Sequence, residues 1–152
     1  MNNIYRDRYS LKFFEWVFII FIVGFYPMLV SIYPLLPPFI GIAGLVIIYT
    51  MDKNIVYPLS GMLYLVNLDL NLTLPFLLSI FTVIFIKIFI YSPAKLMIRC
   101  KVCLTLFLIL LVDAFYYINL FLYDIILDSK TIIADPILSY YILSDFIIGF
   151  FL

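Results

Sequence analysis

Histidine is absent from this chain of 152 residues, and cysteine occurs only twice. The first absence removes the commonest general base and metal ligand in proteins. Two cysteines are too few for a disulfide framework or a zinc site. Charge is also scarce, at 12% of residues, against about 25% in a soluble domain. Nine basic residues balance nine acidic ones, and no basic tract marks a nucleic-acid partner. The sequence holds no phosphate-binding glycine loop, no nucleophile–base arrangement and no zinc motif. The expectation is a non-enzymatic protein without a cofactor.

What the chain has instead is apolar surface: 67% of its residues are hydrophobic and 20% aromatic. A small soluble domain buries only about 70% of the surface its unfolded chain exposes, so water would meet large greasy patches. Lipid removes the difficulty, and the bilayer is the first partner the composition implies. A span takes roughly 20 apolar residues. Cutting the chain at its prolines and charges predicts an all-α membrane protein. It is read as one integral domain over residues 1–152, a compact bundle of six transmembrane helices near 13–35, 38–51, 55–68, 72–91, 102–122 and 137–152. The first apolar run is longer than the core of a signal peptide, about 7–15 residues, and is read as a retained span kinked at Pro27. Pro34, Pro37 and Pro38 predict a tight turn after it.

Cation placement orients such a bundle. Arg6, Arg8, Lys12, Lys53, Lys87, Lys95, Arg99 and Lys101 fall on one side of the six-span arrangement, and Lys130 alone on the other. Cytoplasmic loops carry the excess of Lys and Arg. Both termini are therefore expected inside, in a multi-pass protein of a bacterial cytoplasmic (inner) membrane. Arg6, Arg8, Lys12, Lys95, Arg99 and Lys101 act as topology determinants.

Few residues offer chemistry. Asp113 lies about eleven residues into the fifth predicted span, about 16 Å deep at 1.5 Å per residue. A carboxylate at that depth must face the bundle interior. Tyr116 and Tyr117 follow on the same helical face and are candidate hydrogen-bond donors to it. Asp145 sits at similar depth in the sixth span. These four form a candidate intramembrane polar or partner site, read either as a proton or cation site or as polar contacts that fix helix packing. Gly41, Gly44 and Gly61 are candidate helix-packing positions. Lys87 is expected to snorkel to the nearer interface, Asp69 to lie in an outer turn, and the Cys100/Cys103 pair to be inert and reduced.

The layout resembles the MreD family of the bacterial cell-shape and elongation machinery. The resemblance runs through the proline entry Pro37-Pro38-Phe39-Ile40 into a short second span. It continues in the Gly61-Met62-Leu63-Tyr64 stretch of the third, and in Leu110-Leu111-Val112-Asp113 after a basic loop. Leu65 stands where many such proteins carry an acid, with Asp69 one turn later, and Leu74-Pro75 stands near a usual Leu-Gly. The resemblance implies a scaffold with a fold like the solute-binding membrane component of energy-coupling vitamin transporters. It also implies a bitopic MreC-like partner and, through it, the cell-wall (peptidoglycan) synthesis complex and the filament protein MreB. A small transporter or solute-binding subunit with a mid-membrane Asp site is the alternative.

Overall fold

The computed structural model describes residues 13–53, 55–127 and 136–151. Arg6, Arg8, Lys12 and Lys130 lie outside these residues. Six helices occur among the described residues: α1 Phe13–Ile32, α2 Ile40–Thr50, α3 Val56–Asn71, α4 Leu78–Met97, α5 Lys101–Leu127 and α6 Pro136–Phe151. A π-helical turn over Lys87–Tyr91 interrupts α4. The chain is a predominantly helical, membrane-associated protein.

The expected count of six crossings is corrected to three. Among the described residues only Phe14–Ile32, Leu78–Met97 and Lys101–Leu127 are long and apolar enough to cross a membrane. Helix α2 has 11 residues and so spans only about 16 Å. Helices α3 and α6, with 16 residues each, reach about 24 Å, short of a hydrocarbon core about 30 Å thick. The placement of both termini on one face rested on an even number of crossings, and it falls with that number. The reason for the error is physical. An apolar run wrapped in other helices, as α2 is, has the same composition as one wrapped in lipid.

Helix α2 is the centre of the bundle. It runs antiparallel to α5: Gly41 lies against Asp113, Gly44 against Val112, and the Tyr49 hydroxyl shares a hydrogen bond of 3.2 Å with Thr105. Ile47, Ile48, Leu65, Leu68, Ile86, Leu108, Ile109 and Val112 are fully enclosed around it. A Cβ on Gly44 would sit 2.8 Å from Val112 Cγ1, and one on Gly61 2.8 Å from Ile47 Cγ1. Both glycines are therefore close-approach points between helices. At the other extreme, α1 packs mainly on α3. Its outer residues Phe14, Phe18, Phe21 and Phe25 are more than half exposed, a face that only lipid or another apolar span can cover.

Polar side chains repair each break in the helical backbone. Pro27 lies inside α1 and has no N–H to give to the carbonyl four residues back, that of Val23. The Asn67 amide of α3 fills the gap, donating to Val23 O at 2.7 Å and to Gly24 O at 3.3 Å. The Pro34–Phe39 turn exposes its own carbonyls, and the hydroxyls of Tyr141, Tyr26 and Tyr64 donate to Pro34, Pro37 and Pro38 respectively. Irregular backbone at membrane depth survives only where protein satisfies it in this way. Helix α3 ends in a paired turn, with Leu74 N–H on Asp69 O at 2.9 Å and Thr73 N–H on Leu70 O at 3.3 Å. This closure needs a left-handed residue, usually glycine, and Thr73 occupies it at φ 54°.

Candidate functional site

Two short helix starts carry the chemistry. Helix α2 begins after Phe39, held in the left-handed region at φ 49°, and α4 after Leu77 at φ 66°; neither residue caps its helix with a side chain. The first turn of each helix thus opens with orphaned N–H groups. An aspartate from another helix meets each. Asp145 of α6 accepts Gly41 N–H at 2.8 Å. Asp69 of α3 accepts the Ser79 hydroxyl at 2.5 Å and Ser79 N–H at 3.4 Å. A carboxylate at a helix N-terminus satisfies donors and complements the helix dipole together.

The opposite end of α2 is braced by a cation. Lys87 Nζ donates to Ile48 O at 2.9 Å and to Asp52 Oδ2 at 2.6 Å, and lies 4.6 Å from the centre of the Tyr91 ring. Lys87 thus reaches both the last turn of α2 and the exposed turn that follows it. Asp52 itself is in the exposed turn after α2, and the hydrogen bond from Lys87 holds its carboxyl below the ordinary range. Helix α2 thus has an acid from α6 at its positive end and a base from α4 at its negative end.

Asp113 completes the site at the start of α2. It stands 12 residues beyond Lys101 in α5, about 18 Å along a helix about 40 Å long. A Cβ added to Gly41 would meet Asp113 Oδ1 at 2.8 Å, Asp113 Oδ2 at 2.9 Å and Asp145 Oδ2 at 2.9 Å. The absent side chain of Gly41 is therefore the space in which the two carboxyl groups converge. Both residues are enclosed, at 3% and 2% exposure. One oxygen of each, Asp113 Oδ2 and Asp145 Oδ1, has no hydrogen-bond partner.

Of the sequence-derived candidates, Asp113, Asp145 and Gly41 come together. Tyr117 stays within electrostatic reach of both carboxyl groups. Tyr116 does not join them: its hydroxyl points to Asp69 Oδ1 at 3.5 Å. Asp69, expected in an outer turn, is fully buried inside α3. Its only sequence signal was an acid with Ser79 ten residues on, too common a pair to single out. Of the expected topology determinants, Lys95 closes α4, Arg99 lies in the connector and Lys101 begins α5. Cys100 and Cys103 are free and exposed. The Cys103 N–H and S–H both donate to Cys100 Sγ, at 3.3 Å and 2.7 Å, and hold the Cys100 thiol below its ordinary value. Among the described residues no group of three or more acids or thiols could hold a metal ion. No protein-family model, curated protein or solved structure matches the chain.

Proposed function

We propose that this protein is a non-enzymatic scaffold subunit of the bacterial inner membrane, similar to MreD, that binds a bitopic MreC-like partner and with it the cell-wall synthesis machinery. One observation carries the reading. Polar side chains inside the bundle are largely spent on the chain's own backbone, at helix ends and at the proline gap: Asp145 on Gly41, Asp69 on Ser79, Lys87 on Ile48 and Asn67 on Val23. Groups used in this way stiffen a bundle and leave little for turnover. The outer wall of α1 offers a long apolar flank beside which a partner's single span can lie. The proline entry to α2, Gly61 facing Ile47, and Asp113 in α5 are the layout features that support the kinship.

The test is a clean deletion together with affinity purification of the tagged protein from mild detergent. Rounded cells and recovery of a bitopic coiled-coil protein are expected. Normal cell shape with no such partner refutes the proposal.

A second reading is a small transporter or solute-binding subunit. It is favoured by the start of α2 at mid-depth against two acids, the arrangement in which broken helices of transporters hold ions and substrates. It predicts thermal stabilisation by a specific solute, lost in Asp113→Asn.

A further inference from the structure

Two carboxyl groups meet where lipid-buried protein surrounds them, and the charges within reach decide their state. Across from them, α1 presents Tyr26 and α3 presents Tyr64, whose hydroxyls are engaged by Pro37 and Pro38. From α6 comes Tyr141, engaged by Pro34, and from α5 itself Tyr117. The cation on α4, Lys87, is at the far end of α2 with Ile48 and Asp52. Asp69 is committed to Ser79 and Tyr116. None of these described groups supplies a positive charge to the pair.

Counting protons then leaves one arrangement. With none, two neighbouring anions are desolvated without a counter-charge, which costs several kcal/mol per ion. With two, the start of α2 loses the anion that complements its N–H groups. With one, every observation is met. Asp145 already accepts Gly41 N–H and stays the anion. Asp113 carries the proton in the enclosed space beside Gly41 that it shares with Asp145, where one oxygen of each has no other partner. A metal ion fits less well, because hard cations take about six oxygen ligands, and no third acid or thiol gathers here among the described residues.

We propose that Asp113 and Asp145 form a one-proton binding site at the N-terminus of α2, with Asp113 as the protonated donor and Asp145 as the capping carboxylate. The proton comes from water, and its loss leaves two facing carboxylates that push α5 and α6 apart at the start of α2. The inference goes beyond the scaffold reading and stands or falls separately from it.

The experiment measures unfolding equilibria of the intact protein in mild detergent from acidic to alkaline pH, alongside infrared spectra of the carboxyl C=O stretch. In the wild type the folding constant falls, approaching tenfold per pH unit, from the ordinary carboxylate range up to the pH at which the folded protein loses the proton; there the fall ends and a protonated-carboxyl band disappears. Asp113→Asn, whose amide donates in place of the acid proton, is at least as stable as the wild type at neutral pH and loses both the slope and the band. Asp145→Asn is destabilised at every pH. The same slope persisting in Asp113→Asn overturns the proposal, as does stability set by sodium concentration rather than pH. Should Asp113→Asn fail to fold, the wild-type spectrum decides: no protonated carboxyl at neutral pH refutes the site.

Discussion

The bond from Asn67 to the carbonyl orphaned by Pro27 permits a sharp test of how this bundle is held together. Asn67 Nδ2 reaches Val23 O at 2.7 Å and Gly24 O at 3.3 Å. Asn67→Ala leaves a carbonyl bare in an apolar setting, a cost of about 1–3 kcal/mol. Pro27→Ala restores the backbone N–H that closes the helical bond to Val23 O. In that background the same Asn67→Ala should cost about 1 kcal/mol less or better, since contacting residues couple by about 0.5–3 kcal/mol. Asn71, whose amide donates to Asn67 O at 2.7 Å and Oδ1 at 2.8 Å, is affected equally in both backgrounds and cancels. The four proteins of the cycle are unfolded by denaturing detergent while the fluorescence of Trp16, the one tryptophan, is followed. Equal costs of Asn67→Ala in the two backgrounds would refute the assignment of Asn67 to the proline gap.

Four further outcomes follow from single sites. Thr73→Gly removes the strain of a threonine held at φ 54° and should stabilise the protein by about 0.5–1 kcal/mol, read by the same titration. Lys87→Met should cost more than Asp52→Asn, because only Lys87 also satisfies Ile48 O, while Asp52 is largely exposed and exposed ion pairs contribute little. Because Lys87 lowers the folded-state value of Asp52, that pair's contribution is present at neutral pH and is lost only as pH falls through the acid range. Carbon NMR of the Asp52 carboxyl should titrate below an ordinary aspartate, and at the ordinary position in Lys87→Met. Alkylation of Cys100 should begin at lower pH than for an ordinary thiol, and Cys103→Ala should move the onset upward by removing its S–H donor; an unchanged profile would contradict the hydrogen bond.

Some of this protein was open to reading in one dimension. Composition alone removes water as the solvent, because no small fold hides so much apolar surface. Helices follow, since a lipid-exposed backbone must satisfy itself. The prolines at 34, 37 and 38 mark a break that falls between α1 and α2, and the charged pair Asp52-Lys53 marks the end of α2. Depth and charge also single out Asp113 and Asp145, without revealing that they meet.

Tertiary structure alone decided which apolar runs have the length to cross and which are wrapped in other helices. Hydropathy records that a side chain leaves water, not whether lipid or protein replaces it, so α2 at 11 residues resembled a short span. The trans caps were equally hidden. Asp145 and Gly41 are 104 residues apart in sequence, and nothing local to either records the other. Asp69 and Tyr116, expected in an outer turn and beside Asp113, face each other instead. A buried acid's partner is set by which helices pack around it, and only the folded bundle specifies that.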